Sequence, residues 1–279
     1  MKKADYNRFY KILPKQNWLL EKEEELKELL QSCKKEEHKK LLFELLEEFN
    51  FINETLLKTY LNLIADYIIN DSGFKIERTQ IVGMAMDSTP DSSQWILQQL
   101  KPVLTKKGWN NVKIITNFTR GVRSLNKEGK NQMILVDEFI GTGQSVQGRI
   151  DYLKREKRVD CEIKGCFIAG MEDGINKIIN EFSDFKCFLP LKKGISDKHS
   201  GENLVNELKK MSELESELMQ KINDKELSKY HLGYNQTESL YSSFGNTPNS
   251  VFPIFWWPYD RLETQRNTLL IRNEEGLGL

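Results

Sequence analysis

The sequence lacks several features that would assign it to a familiar class of protein. No segment approaches the roughly 20 consecutive apolar residues that a membrane-spanning helix needs, and the first residues lack the apolar stretch of a signal peptide. Basic residues number 41 and acidic residues also number 41, so no net charge draws the chain towards nucleic acid or an anionic membrane. We therefore expect a cytoplasmic protein with no direct nucleic-acid partner and no membrane partner.

Cysteine and histidine are also scarce. Four cysteines are present, and none has a CxxC or CxxH spacing: Cys33, Cys161, Cys166 and Cys187. Three histidines are scattered among charged or loop residues, where we predict that they are solvated: His38, His199 and His231. These residues therefore suggest no zinc site, no disulfide and no nucleophilic site.

The pattern of apolar residues changes along the chain. Residues 16–70 carry leucine and isoleucine at three- and four-residue spacings, the pattern of amphipathic helices, so we expect residues 1–75 to form a helical N-terminal region. Between residues 76 and 192, apolar runs alternate with helical patterns, which predicts an α/β core with a doubly wound, mostly parallel sheet. Residues 193–279 combine a charged helical segment, a polar run and the aromatic cluster VFPIFWWPYD. We expect this C-terminal region to pack on the core.

One stretch of the predicted core, QMILVDEFIGTGQS, joins an apolar run to two acids and a glycine-rich turn. An apolar run that ends in charge is typical of a buried parallel strand at its carboxyl end, the edge at which open α/β sheets bind ligands. The turn and the helical pattern after it direct backbone N–H groups towards one point, as phosphate sites do. Asp137 and Glu138 repel phosphate, but they can accept hydrogen bonds from sugar hydroxyls or help to hold Mg²⁺. The stretch therefore predicts a sugar-phosphate site.

With these residues, the stretch resembles the phosphoribosyl-diphosphate (PRPP) binding motif of the type I phosphoribosyltransferases. The resemblance in the order of elements covers roughly residues 78–190, including a polar segment where the family has its mobile loop. It implies that Asp137 and Glu138 bind the ribose hydroxyls and Mg²⁺. It also implies that five residues of the turn hold the 5-phosphate: Gly141, Thr142, Gly143, Gln144 and Ser145. The implied activity is transfer or cleavage at the anomeric carbon of PRPP, a related ribose 5-phosphate or a nucleotide, with an acceptor that the sequence does not identify.

The polar segment FTRGVRSLNKEGKN supplies four cations: Arg120, Arg123, Lys127 and Lys130. Arginines on a flexible loop can close over a diphosphate leaving group and neutralise its charge as the anomeric bond breaks. We therefore predict catalytic roles for Arg120 and Arg123, although a solvated surface loop would have the same composition.

Two positions depart from the family pattern. Purine-salvage members often have an aspartate where this chain has Gly141, and that aspartate helps with proton transfer, so ordinary oxopurine salvage is disfavoured. The loop DSTPDSS lies where the family binds diphosphate, but it is acidic. Asp87 would repel diphosphate unless Mg²⁺ intervenes, whereas Ser88 could donate a hydrogen bond to it. Asp91 or Ser92 fits a helix N-cap at least as well as a catalytic role.

Other functions stay open on the sequence alone. The two departures favour a non-catalytic sensor or regulatory subunit that binds PRPP or a nucleotide. Such a function is compatible with the predicted fold, because a fold does not determine its function. A structural adaptor would account for the charged helices but not for the motif. A homo-oligomer is also compatible with the sequence. Trp256 and Trp257 would either stack on an acceptor base or belong to a hydrophobic core.

A narrower resemblance concerns the two ends of the chain. The helical N-terminal region and the segment NTPNSVFPIFWWP are similar to phosphoribosyltransferase-like proteins of bacterial conflict systems, including retron-type anti-phage operons. This resemblance implies a role as an anti-phage effector, and operon partners such as a reverse transcriptase or an ATPase.

Overall fold

The computed structural model describes the following residues: 2–86, 91–125, 129–156, 161–243 and 245–273. The chain forms two compact units, the first from Met1–Asn53 with Lys192–Leu279 and the second from Glu54–Leu191. The sequence pattern predicted three regions, with boundaries after residues 75 and 192. The observed division differs because the helix that begins at Glu54 packs against the central sheet, and because both ends of the chain share one core.

The described residues form nine α-helices: α1 (Lys3–Ile12), α2 (Glu23–Ser32), α3 (Glu36–Glu47), α4 (Glu54–Asp66), α5 (Ser92–Lys106), α6 (Phe118–Ser124), α7 (Gln144–Arg155), α8 (Glu172–Ile178) and α9 (Gly201–Glu215). They also form nine strands: β1 (Asn50–Ile52), β2 (Thr79–Ala85), β3 (Lys113–Asn117), β4 (Gln132–Ile140), β5 (Glu162–Met171), β6 (Asp184–Leu191), β7 (Lys221–Ile222), β8 (Lys225–Glu226) and β9 (Tyr241–Ser243). Among these described helices, none combines the length and apolarity that crossing a membrane requires.

Five strands of the second unit form one parallel sheet in the order β3-β2-β4-β5-β6. Every residue of β2 is buried, and so are Met133, Ile134, Leu135 and Val136 of β4. Such continuous burial is expected where a parallel sheet is covered on both faces, because neither face of the strand meets water. The apolar runs of the sequence therefore became the interior strands β2 and β4.

Helices cover both faces of this sheet. Consecutive residues of a strand point to opposite faces. A side chain at Gly83 of β2 would place its Cβ atom 2.9 Å from Ser93 Oγ of α5. A side chain at Gly121 of α6 would place its Cβ atom 2.6 Å from Cγ1 of Val82, the neighbouring residue of β2. The helices α5 and α6 therefore lie on opposite faces, which confirms the predicted doubly wound α/β fold.

The first unit has its own hydrophobic core, to which both ends of the chain contribute. The strands β1 and β9 pair in parallel and join these ends. Trp256 and Trp257 are completely buried, and their Nε1 atoms donate hydrogen bonds to the backbone oxygens of Val251 and Met219. The two tryptophans are therefore core residues rather than a stacking surface for an acceptor base.

Two histidines of the first unit are not solvated, and that prediction was wrong for them. His38 is 5% exposed, and its Nε2 atom lies 3.0 Å from Glu213 Oε2. His231 is half-buried, and its Nδ1 atom lies 2.5 Å from Oε2 of the buried Glu215. Both partners belong to the end of α9. Sequence spacing does not show such pairs, since His38 and Glu213 are 175 positions apart.

Candidate functional site

The motif predicted from the sequence lies at the carboxyl edge of the central sheet. The adjacent strands β2 and β4 end at Ala85 and Ile140, and α5 and α7 begin shortly after them. Ser92 Oγ, in the first turn of α5, donates a hydrogen bond of 3.0 Å to Asp137 Oδ1 near the end of β4. The acid pair, the glycine-rich turn and two helix N-termini therefore lie at the edge where open α/β sheets bind ligands.

The turn leaves the start of α7 without a side-chain cap. Gly143 is the N-cap residue, and its φ of 74° is in the left-handed region that glycine adopts without strain. Because glycine has no side-chain oxygen, the first N–H groups and the dipole of α7 act on the space in front of the helix, as in anion sites. A Cβ atom at Gly143 would also lie only 2.7 Å from the backbone oxygen of Gly174 in α8, so the packing of the turn requires glycine as well.

The other turn residues are accessible from this space. Gly141 and Thr142 are half-buried, and Gln144 and Ser145 are exposed. Thr142 Oγ1 lies 3.4 Å from the backbone nitrogen of Gln144, which is a long hydrogen bond. The hydroxyl groups of Thr142 and Ser145 are therefore available as additional donors to an anion.

Asp137 faces the start of α5. Its Oδ1 atom accepts hydrogen bonds from the backbone N–H of Glu138 at 2.7 Å and from Ser92 Oγ. Partial loss of contact with water, followed by the negative charge of Asp91, raises the pKa of Asp137 to about 8 from a usual value of 3.8. A carboxylate in such surroundings is stabilised by a nearby cation. Asp137 therefore fits a ligand of Mg²⁺, which commonly takes one or two carboxylates and completes its shell with water and phosphate oxygens.

Glu138 has different surroundings. Consecutive side chains of a strand alternate between the two faces, and Glu138 is 5% exposed whereas Asp137 and Phe139 are half-buried. The two acids, which we predicted to act together on ribose hydroxyls and Mg²⁺, thus point to opposite sides of the sheet. Asp137 is the more accessible of the two, and a ligand role for either acid stays a prediction.

Asp91 caps α5, which confirms the N-cap interpretation. Its Oδ1 atom accepts hydrogen bonds from the backbone N–H of Ser93 at 2.8 Å and from Ser93 Oγ at 2.5 Å. Ser93 Oγ in turn accepts a hydrogen bond of 2.8 Å from the N–H of Met84, which fixes the end of β2 to α5. The predicted ligands Asp87 and Ser88 lie outside the described residues.

Arg120 and Arg123 lie on α6 rather than on an open loop, so the expected loop begins as a helix. Asn117 caps this helix, because its Oδ1 atom accepts a hydrogen bond of 3.0 Å from the N–H of Arg120. Both arginines are exposed. The helix follows β3, the neighbour of β2, so it begins at the same edge of the sheet as the motif. Action on a diphosphate stays a prediction.

Lys130, another cation of the polar segment, lies away from solvent. Lys130 is 8% exposed, and its Nζ atom donates a hydrogen bond of 3.2 Å to the backbone oxygen of Ile76, so it supports the fold. Lys127 lies outside the described residues. Arg149 of α7 was not predicted from the sequence as a residue of this region. Its Nε atom donates a hydrogen bond of 2.8 Å to the backbone oxygen of Met84. Its place on the helix after the motif strand was the available signal, but that place does not reveal its partner.

Similar solved structures include a hypothetical protein from Neisseria gonorrhoeae with bound ppGpp, at 11% identity and a TM-score of 0.37, covering 52% of this chain and 85% of that chain. They also include the Helicobacter pylori xanthine-guanine-hypoxanthine phosphoribosyltransferase, at 9% identity and a TM-score of 0.34, covering 51% of this chain and 89% of that chain. A third is the Schistosoma mansoni hypoxanthine-guanine phosphoribosyltransferase in complex with IMP, at 15% identity and a TM-score of 0.32, covering 50% of this chain and 65% of that chain.

No curated protein matches the sequence. A family model does match, and its match extends over residues 27–272, so it includes the central sheet, the motif and most of the first unit. The chain therefore belongs to the PRTase-CE family.

Proposed function

We propose that the protein binds PRPP, or a related ribose 5-phosphate or nucleotide, together with Mg²⁺ at the carboxyl edge of the central sheet, and that it transfers or cleaves at the anomeric carbon. One observation carries the proposal. The half-buried Asp137 lies at one end of a short strand-turn segment, and the uncapped start of α7 lies at the other end. A carboxylate and a candidate anion site therefore border neighbouring space. Membership of the PRTase-CE family supports it.

The charge of each residue in the site would determine which part of the ligand that residue contacts. The N–H groups at the start of α7, with the hydroxyls of Thr142 and Ser145, would hold the 5-phosphate. Asp137 would accept a hydrogen bond from a ribose hydroxyl or bind Mg²⁺, which when bound neutralises charge on the diphosphate. The exposed Arg120 and Arg123 would approach the leaving group. With PRPP as the substrate, the bond from the anomeric carbon to diphosphate breaks, diphosphate takes the electron pair, and an acceptor nucleophile or water bonds to the carbon and loses its proton. With a nucleotide, the base leaves with the electron pair instead.

Calorimetric titration of the folded protein with PRPP, with and without Mg²⁺, tests the binding step. Asp137→Asn should weaken the Mg²⁺-dependent binding by at least about tenfold, the usual scale for loss of a charged contact to a ligand. The matched control is Asp151→Asn, because Asp151 is an exposed acid on α7. Absence of heat and of a thermal shift at millimolar PRPP and Mg²⁺ would contradict the proposal, as would equal effects of the two variants.

A sensor is the second candidate, and two observations favour it. Asp91 is occupied as the N-cap of α5, and Gly141 stands where purine-salvage enzymes have a proton-transferring acid. Incubation with PRPP and a mixture of nucleobases and nucleotides, followed by mass spectrometry, separates the candidates. Release of diphosphate or a free base supports the enzyme, whereas binding without consumption supports the sensor.

We further propose that this activity serves anti-phage defence with an operon partner such as a reverse transcriptase or an ATPase. The support is the similarity of the N-terminal region and of NTPNSVFPIFWWP to conflict-system proteins. Genes next to the coding sequence, co-purification with their products, and plaque counts for cells with the wild-type protein or Asp137→Asn test this role. Equal plaque counts with and without the complete operon, across a phage panel, would count against it.

A further inference from the structure

Three potential metal ligands meet in the first unit, and the proposed function uses none of them. Glu37 and His38 belong to the first turn of α3, and Glu213 belongs to the last turn of α9. Their side-chain ligand atoms all lie within 4.8 Å of one another. His38 is 5% exposed, and its Nε2 atom lies 3.0 Å from Glu213 Oε2. A buried imidazole is thus held in a fixed position beside two carboxylates.

The two carboxylates already attract a cation. The Lys35 ammonium lies 2.6 Å from Glu213 Oε2 and 3.8 Å from Glu37 Oε1. The Lys35 side chain is 51% exposed, and an exposed ion pair is weak, so the ammonium can leave without disturbing the core. The cluster therefore favours a positive charge beside the two carboxylates, and the displaceable ammonium of Lys35 supplies that charge.

The donor set distinguishes between types of metal ion. One imidazole nitrogen with two carboxylate oxygens suits divalent transition metals such as Zn²⁺, whereas Mg²⁺ prefers oxygen ligands alone. Ligand atoms around tetrahedral zinc lie roughly 3.4 Å apart at bond lengths of about 2.1 Å, and these atoms lie within 4.8 Å of one another, so no pair would need to close by more than about 1.4 Å. A cavity of about 280 Å³ borders His38 and Glu213, and it leaves space for a water molecule as the fourth ligand.

We propose that Glu37, His38 and Glu213 form a binding site for a divalent transition-metal ion such as Zn²⁺, with the fourth position open to the cavity and Lys35 displaced. The site connects α3, from the N-terminal part of the first unit, to α9, from its C-terminal part. Binding of the ion to the folded protein therefore stabilises the packing of these helices. The proposed sugar-phosphate site contains none of these residues, so either proposal can fail without the other.

The test is a titration of the full-length, chelator-treated protein with zinc chloride in competition with a chromogenic chelator. We expect one Zn²⁺ per chain, a rise in melting temperature that excess chelator reverses, and much weaker binding of Mg²⁺. His38→Gln and Glu213→Gln should each lower the zinc affinity by at least about tenfold, because each removes one of three ligands. Lys35→Met should raise the affinity, since it removes the competing ammonium.

Two matched variants serve as controls. His231→Gln alters the other histidine that pairs with a carboxylate of α9, and Lys40→Met removes an exposed ammonium of α3 that lies 3.6 Å from Glu44 Oε1 and does not line the cavity. Both should leave the zinc affinity unchanged. Lys35 is exposed, so Lys35→Met keeps the test decisive even where loss of the buried His38 unfolds the protein. No zinc binding at micromolar concentration, an unchanged affinity in folded His38→Gln, equal binding of Mg²⁺, or no gain in Lys35→Met would each overturn the proposal.

Discussion

The variant Asp137→Asn separates the free-energy cost of burying this carboxyl group from its proposed role as a ligand. In the folded protein the pKa of Asp137 is raised to about 8 from 3.8, so the folded state binds this proton more tightly than the unfolded state. The free energy of unfolding therefore falls as the pH rises from about 4 to about 8, and this contribution is constant above that range. Asparagine can accept the same hydrogen bonds from Ser92 and from the N–H of Glu138, but it carries no charge.

The size of the effect follows from the shift. Between 3.8 and neutral pH there are about three pKa units, each worth about 1.36 kcal/mol, which gives an upper limit of about 4 kcal/mol at pH 7. Asp137 is half-buried, and partial contact with solvent reduces such a penalty. We expect the variant to be more stable than the wild type by about 1 to 2 kcal/mol near pH 8, a rise in melting temperature of about 2 to 8 °C.

Thermal and urea unfolding without Mg²⁺, from about pH 5 to about pH 9, measures this difference. The gap between Asp137→Asn and the wild type should widen up to about pH 8 and then stay constant, while the exposed control Asp151→Asn shows no such trend. A variant that is less stable than the wild type near pH 8 would refute the reasoning, because it would mean that the fold stabilises the ionised carboxylate. Added Mg²⁺ should stabilise the wild type more than the variant, since only the wild type offers a charged ligand.

Three other substitutions test the remaining parts of the structure. Gly143→Ala should lower the free energy of unfolding by about 1 to 2 kcal/mol or more, because Gly143 has a positive φ and a close backbone oxygen. The control Gly148→Ala, inside α7 with open space around it, should raise that free energy by about 0.5 to 1 kcal/mol. Equal effects of the two variants in urea unfolding would contradict the described turn. Alanine at both Arg120 and Arg123 should lower kcat by about 10²-fold, or about 3 kcal/mol, without changing the melting temperature of the protein, and a change in ligand affinity alone would support the sensor. Trp257→Ala should reduce the free energy of unfolding by about 3 to 5 kcal/mol in urea, and a loss below about 1 kcal/mol would show that this side chain is not part of the core.

The sequence by itself determined the features that depend on neighbouring residues. Apolar runs of strand length, separated by helical patterns, specified the α/β core, and the run before Asp137 became the interior strand β4. The order of strand, glycine-rich turn and helix placed the candidate site at the carboxyl edge of the sheet, because a turn and the helix start after it are local structures. Gly143 is a local feature of the same kind, because glycine adopts the positive φ that the turn requires without strain.

Only the tertiary structure decided which distant residues meet. Ser92 binds Asp137 across 45 positions, and His38 meets Glu213 across 175, because packing of helices and strands, rather than sequence spacing, brings such atoms within hydrogen-bond distance. The same holds for Glu138, whose burial depends on what covers its face of the sheet. Both ends of the chain form one core because burial of apolar surface is non-directional and independent of chain order, so no local pattern could show which apolar segments would share an interior.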